Sequence, residues 1–298
     1  MKIIRNIILI LIILLLCFYF INNYFKLKIT ENYEEIYHLP KTIYCYWDNL
    51  EDNDIIKAHI QTWKNNISLQ WKIIILNKKN IHNYVPQEFI DKFINLPAFR
   101  FSDFLRMYLL YTKGGVWIDA STIIIKDNFL NQYYDEMVLN QYDATIFELD
   151  DHSTENYPYL ENWFLMAPKN SKFIKDIYDE FVISFDMDFL KYKTDILMPN
   201  IKLDNTLKYS SSTYHMQHAI IHYLLVHKKN KYKLNIKEAN ESMFKAQKIN
   251  NWNSTMLIDF IINNNNWTDY YAIKLVHANR KGINKNNEAM FIKKLYNI

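Results

Sequence analysis

Glycine is nearly absent from this sequence. Three occur in 298 residues, and two of them are adjacent, in "YTKGGVWIDAST", Tyr111 to Thr122. Glycine adopts the left-handed backbone that other residues resist, and it ends helices for that reason. The pair therefore fixes a boundary. A helix over "SDFLRMYLLYTK", with Ser102 as its expected N-cap, must stop at Gly114–Gly115. A short apolar strand, "VWID", then runs to Asp119. In open α/β sheets ligands gather at the carboxyl ends of strands, so Asp119 is the first candidate for chemistry.

The rest of the soluble chain repeats this alternation. "KTIYCYW" and "WKIIIL" read as strands; the second is a continuous apolar run of the kind buried in a parallel sheet. "DNDIIKAHIQTWKNN" reads as a helix capped by Asp52 or Asn53, with Ile56, Ile60 and Trp63 at helical spacing. "PQEFIDKFINL" reads as a helix opened by proline. "TIIIK", "ATIFEL", "NWFLMAP" and "AIKLVHA" read as strands; "SKFIKDIYDEFVISF" and "TYHMQHAIIHYLLVHK" read as helices. Such alternation predicts an α/β fold with a largely parallel sheet. "IINNNNW" is expected to be a loop.

The N-terminus has a different character. It is apolar from Ile7 to Phe20, close to the length that spans a bilayer. No small-residue cleavage site follows it, so an uncleaved anchor is expected over residues 1–25. A stem over 26–40 would then lead to a catalytic domain over 41–298. The expected location is a membrane, crossed once, Golgi or ER in a eukaryotic or viral setting and the cell membrane in a bacterial one. Flanking lysines and Arg5 are nearly balanced and set orientation weakly.

Net charge is only +3, which gives no basis for a nucleic-acid partner. Cys17 in the anchor and Cys45 in the first strand form no disulfide framework. Four N-x-S/T sequons begin at Asn66, Asn240, Asn253 and Asn266, about the number that so asparagine-rich a chain produces by chance.

Asp103 and Arg106 lie three apart on the helix before the glycines and share a face. Arg100 joins that face if the helix begins early. Phe104, Leu105, Tyr108 and Leu109 form the opposite face and are suited to pack on a sheet. Taken alone, the Asp–Arg pair reads as a surface ion pair of little energy. Placed beside a strand that ends at Asp119, it reads as one wall of a cleft, with the Ser121 hydroxyl nearby.

The stretch "FRFSDFLRMYLLYTKGGVWIDAS" resembles the S-D-x-x-R…L-Y-x-x-G-G-x-[YW]-x-D-x-[DST] block of glycosyltransferases with the DXD sugar-binding motif. The resemblance points in particular to capsular polysaccharide synthesis proteins. "LPKTIYCYWDN", "TWKNNISLQWKIIILNKKNIHNYV" and "NWFLMAPKNSKFIKDIYDEF" are similar to neighbouring family segments, so the likeness runs from about residue 39 to 185.

The resemblance implies a GT-A-like fold, a Rossmann-like nucleotide-sugar half fused to an acceptor half. It implies a hexosyltransferase-type enzyme that moves a sugar from a nucleotide-sugar to a glycan or glycoconjugate acceptor with retention. Asp103 would meet a ribose or donor-sugar hydroxyl, Arg106 the donor sugar or diphosphate, and Asp119 a metal or ribose. Trp47 lies near where such enzymes hold the base, and as a bare sequence feature reads equally as a core tryptophan. Lys274 and Arg280, in "AIKLVHANRKG", are expected at the diphosphate, and His277 there is a candidate metal or phosphate contact. The implied cofactor is a divalent cation, manganese or magnesium, on Asp119, Ser121 and His277. Ser121 stands where the second acid of the motif would be, and a serine coordinates such an ion weakly. That departure motivates the alternative of a catalytically silent nucleotide-sugar or glycan-binding protein of the same fold.

Two further clusters stand out. His215, His218 and His222 share a helical face at a spacing that can bind zinc, but without the glutamate of a metalloprotease motif they read rather as structural or acceptor-facing residues. Glu148, Asp150 and Asp151, in "FELDD", are candidates for acceptor contact or a solvated loop.

Overall fold

Residues 37–149, 158–201 and 213–298, with Cys17 and Tyr19, are described by a computed structural model. The expected anchor, Cys17 and Tyr19 apart, lies outside the described residues, as do the stem to residue 36, Asp150 and Asp151. Among the described residues no helix is long and apolar enough to cross a membrane.

β1 (Thr42–Tyr46) and β2 (Lys72–Leu76) pair in parallel in register, Thr42 opposite Lys72. Between them runs α1 (Asp54–Asn66), whose N-cap Asn53 accepts a hydrogen bond from the Ile56 amide. In β1, Ile43 and Cys45 are buried on one face and Tyr44 and Tyr46 on the other, so both faces are covered, whereas in β2, the continuous apolar run, only Ile74 and Leu76 are buried and Ile73 and Ile75 are partly exposed. α2 (Gln87–Phe93) follows Pro86, and α3 (Ala98–Lys113) follows Pro97.

α3 begins four residues earlier than expected. Pro97 ends the preceding turn with an extended backbone, so Ser102 lies inside the helix and caps nothing. Arg100 consequently joins Asp103 and Arg106 on one face. Phe104, Leu105 and Leu109 are fully buried on the other, where Phe104 stacks on Phe93 and meets Phe181 of α5 (Lys172–Asp186).

Gly114 (φ 73°, ψ 179°) and Gly115 (φ 115°) then turn the chain into β3 (Gly115–Ile118). Both conformations are open essentially to glycine alone. Space is as restrictive as backbone angle: a Cβ on Gly114 would lie 2.6 Å from the Lys169 amide nitrogen, and one on Gly115 2.6 Å from the Thr42 carbonyl oxygen. The glycines thus let three segments converge, the end of α3, the start of β1 and the end of β6 (Leu160–Ala167).

The main sheet has the order β2-β1-β3-β6-β5-β7, with β5 at Ala144–Glu148 and β7 at Leu234–Glu238. β1 is parallel to both its neighbours and β5 is parallel to β7, but β6 is antiparallel to both β3 and β5. The sheet is therefore rich in parallel pairings, as expected, with β6 as the antiparallel exception. The strand "NWFLMAP" was legible; its direction was not, because a strand buried on both faces reads the same either way.

A second sheet of two strands, β4 (Thr122–Ile124) antiparallel to β8 (Ala272–Lys274), sits beside α1. Trp63 donates from Nε1 to the Thr122 carbonyl and Asn66 from Nδ2 to the Ile124 carbonyl. Ile123, Ile273 and Leu275 pack in a separate core with Leu257, Ile258 and Ile261 of α7 (Ser254–Asn263) and Phe291 and Leu295 of α9 (Glu288–Tyr296). α7 runs into the stretch expected to be loop, so that loop begins only at Asn264. Between the sheets in sequence come α4 (Asn128–Asn140), α6 (Met216–His222) and, after β8, α8 (His277–Arg280).

Candidate active site

Asp119 follows the last residue of β3, and its backbone continues the ladder: its amide donates to the Trp163 carbonyl on β6 at 2.9 Å. The Thr122 amide then donates to the Asp119 carbonyl, making the turn that carries the chain from the main sheet into β4. Asp119 stands at the junction of the two sheets with its side chain 29% exposed, while the charged groups paired to it are nearly inaccessible.

Those groups form a continuous chain of alternating charge. Arg100 Nη1 pairs with Asp103 Oδ2 at 3.1 Å, and Arg106 Nη1 with Asp103 Oδ1 at 3.0 Å. Arg106 Nη2 reaches across to Asp119 Oδ1 at 3.0 Å, and Lys274 Nζ meets Asp119 Oδ2 at 3.1 Å. Lys274 Nζ also lies 2.7 Å from Ser121 Oγ. The expected surface ion pair is thus a buried one, joined to Asp119. Buried pairs need further hydrogen bonds to offset desolvation, and these are present. Trp117 Nε1 donates to Asp119 Oδ1 at 2.9 Å. Gln217 of α6 accepts from Arg106 Nη1 at 2.8 Å and donates to the Asp103 carbonyl at 3.0 Å. Asn162 of β6 donates to Gln217 Oε1 at 2.8 Å. Arg106 Nε has no hydrogen-bond partner among the described residues; the guanidinium lies 5.0 Å from the Trp117 ring.

The electrostatics follow. Burial pushes the Asp119 carboxyl up, but Lys274 and Arg106 outweigh it and hold its pKa at about 2. Burial pulls the Lys274 ammonium below the ordinary lysine range, against the opposing pull of Asp119. Burial pushes Asp103 up, and Arg106 and Arg100 oppose it. Cys45, buried on β1, is pushed up by desolvation and by the nearby Asp119 charge, which leaves it an inert thiol.

The other candidates divide. Trp47, just past β1, is half-buried, so it is not a core tryptophan; the Arg280 guanidinium lies 5.5 Å from its ring centroid. Burial lowers the Arg280 guanidinium below its ordinary range, and the Asp119 charge opposes this. His277 is exposed at the first position of α8. Glu148 is half-buried at the end of β5. Of the histidines on α6 and before it, His218 Nε2 lies 3.4 Å from Glu161 Oε2 and stacks on Tyr159, and the Tyr159 hydroxyl lies 3.3 Å from His215 Nδ1. Burial lowers His215 and His222 to a pKa of about 4 each.

Two site residues escaped sequence reasoning, Gln217 and Asn162. Gln217 lies within "TYHMQHAIIHYLL", a stretch in which the histidines drew the attention. A glutamine among apolar helix positions is the signal that was there to be read, because a buried amide needs partners. Asn162 carried no comparable signal.

The donor set does not fit a divalent cation in the arrangement the motif implies. Such an ion needs free oxygen lone pairs at about 2.1 Å, yet the space between Asp119 and Ser121 is occupied by the Lys274 ammonium. Among the described residues no group of three histidine, cysteine, aspartate or glutamate side chains could hold a metal ion.

Comparison with known proteins adds the context. Over 154 residues the chain is 23% identical to the O-glycosyltransferase braB of Annulohypoxylon truncatum, covering 45% of this chain. The chain spans about a third of that relative's length, 35%. Among solved structures it overlaps loosely with the PaToxG glycosyltransferase (TM-score 0.32, 15% identity, 68% of this chain and 94% of that one). It overlaps also with the glycosyltransferase GlyE of Streptococcus pneumoniae TIGR4 (TM-score 0.43, 11% identity, 87% and 63%). Residues 17–263 match the family described as capsular polysaccharide synthesis protein, and a match over that much of the sequence makes this chain a member of that family.

Proposed function

We propose that this protein is a glycosyltransferase that moves a sugar from a nucleotide-sugar donor to a hydroxyl of a glycan or glycoconjugate, with retention of anomeric configuration, on a GT-A-like fold of residues 41–298. Membership of the capsular polysaccharide synthesis family supports the enzyme class. The observation that carries the site is the ion-pair chain that runs through Asp119, the more open of its two carboxylates, to Lys274. The apolar run from Ile7 to Phe20 supports tethering to a membrane.

Glycosyl transfer breaks the bond between the sugar C1 and the diphosphate, and the bonding electron pair passes to a phosphate oxygen. The acceptor oxygen bonds to C1 and gives up its proton. The barrier falls when cations fixed in advance face the oxygen that gains charge. Arg106 and Lys274 pair with Asp119 and are held by buried partners, and Arg280 lies near enough to feel its charge, so little reorganisation accompanies the reaction. Asp103 spends its oxygens on Arg100 and Arg106; in this reading it positions Arg106, and a ribose contact is not what its surroundings favour. Asp119, the exposed member, touches a donor hydroxyl. Trp47, half-open beside Arg280, offers a ring face to the base.

The test is donor turnover. The full chain is incubated with a panel of nucleotide-sugars and release of nucleoside diphosphate is followed. Asp119→Asn should lower the rate about a hundredfold or more while leaving the fold, read by circular dichroism, unchanged. Full activity in that variant would remove Asp119 from the site. Binding of a donor without any release would favour the silent carbohydrate-binding reading instead.

A further inference from the structure

The motif position that in a D-x-D pair would carry the second acid is Ser121, and the third group in that corner is a lysine from elsewhere in the chain. Lys274 ends β8, opposite Thr122 in the antiparallel pair, and the Leu275 amide donates to the Ser121 carbonyl at 2.9 Å. The register is thereby fixed on both sides of the residue. Gln247, fully buried, donates to the Lys274 carbonyl and ties the strand end from its other side. The side chain can only project between Asp119 and Ser121, and its nitrogen lies 3.1 Å from Asp119 Oδ2 and 2.7 Å from Ser121 Oγ.

We propose that the Lys274 ammonium takes the place of the divalent cation, so that this chain binds the diphosphate of its donor and transfers sugar without a metal. The proposal rests on the nucleotide-sugar reading above. Asp119 and Ser121, two apart on the strand end, grip the nitrogen as they would grip an ion. An ammonium has three protons. Two go to Asp119 and Ser121; among the described residues the third has only the Leu275 carbonyl at 3.4 Å, beyond the usual range, and can turn to a phosphate oxygen. A divalent ion in the same corner would meet a fixed positive charge. Among the described residues around the site, Arg100, Arg106, Lys274 and Arg280 outnumber Asp103, Asp119 and Glu161. That surplus suits an anionic leaving group. During transfer the C1–oxygen bond breaks, the electron pair goes to the phosphate oxygen facing Lys274, and the lysine keeps its proton while donating a hydrogen bond. The acceptor hydroxyl passes its proton to the departing phosphate oxygen as its own oxygen bonds to C1, so charge and atoms balance with no further reactant. The family match ends at residue 263, so Lys274 lies beyond the part of the chain it covers.

The probes are inorganic pyrophosphate and Mn2+, tested on the full chain. Pyrophosphate binding is measured by calorimetry in EDTA, and Mn2+ alone is titrated while its free EPR signal is followed. The expected result is pyrophosphate binding in EDTA that weakens about ten- to a hundredfold in Lys274→Met and persists measurably in Lys274→Arg, with no Mn2+ taken up at Asp119. If Lys274→Met fails to fold, the native chain in EDTA and Lys274→Arg decide the matter. Pyrophosphate binding that requires Mn2+, Mn2+ uptake by the native chain that Asp119→Asn abolishes, or equal pyrophosphate binding by native chain and Lys274→Met would each overturn the lysine assignment and leave the donor site standing. No pyrophosphate binding with or without Mn2+ would overturn the donor site and the lysine assignment together.

Discussion

Arg106 makes more demands of its side chain than any other residue at the site. One planar group meets Asp103 Oδ1, Gln217 Oε1 and Asp119 Oδ1 at once, over the Trp117 ring. A lysine has a single nitrogen and cannot span those acceptors. Arg106→Lys should therefore destabilise the protein by about 3 kcal/mol, the scale of a buried ion pair broken from one side, and should suppress transfer as well. Urea denaturation of the two proteins reads the first effect; a variant as stable as the native chain would show that the network holds without the fork. The Asp103–Arg106–Asp119 association was legible because helical spacing and a strand end constrain it. Lys274 was read as a diphosphate partner, but its seat between Asp119 and Ser121 was not legible, since 155 positions separate it from Asp119 and only the β4–β8 register brings them together.

At the scale of elements, the site depends on how sharply α3 gives way to β3. The two glycines are required by angle and by contact. Gly115→Ala puts a methyl group within 2.6 Å of the Thr42 carbonyl at a φ of 115°, so β1 must move away from β3 or β3 must shift. The expected cost is about 2 kcal/mol or more, visible as an earlier midpoint in urea, with loss of turnover because Asp119 rides on β3. Little change in either would mean the strands are looser than their packing indicates. Elements with strong local signals were legible: α1 with Asn53 among its candidate caps, β1, β2, the helix α5, and the glycine boundary itself. α4, β7 and α9 were not resolved from sequence. β7 has a polar alternation in "LNIKE" and pairs only along one edge of β5, so little apolar signal marks it. The start of α3 was misplaced because Ser102 offered a cap in sequence, whereas the physical boundary is Pro97.

For the molecule as a whole, burial of neutral histidines predicts sensitivity to acid. His59 on α1 is fully buried, and desolvation together with Arg280 lowers its pKa to about 3; His215 and His222 are lowered by burial to about 4. Each folded-state value lies below the ordinary one near 6.5, so the unfolded chain takes up these protons first. The associated stability is present above about pH 6.5 and is lost progressively as pH falls towards those lowered values. His59→Phe should shrink the drop in melting temperature between pH 7.5 and pH 5, and part of the drop should persist through His215 and His222. An unchanged drop would mean that His59 titrates normally in the folded protein.

The distance along the chain between Asp119 and Lys274 also sets an order of events during synthesis. When the ribosome has made the first half, the carboxylate exists but its partner from β8 does not, and the strand that will seat that partner has nothing to pair with. Before Lys274 is made, Arg100 and Arg106 only balance Asp103 and Asp119, and the corner has no surplus of positive charge. Only once β8 has been made and paired with β4 does that corner gain the extra cation, so its positive surplus waits on the pairing of the two strands.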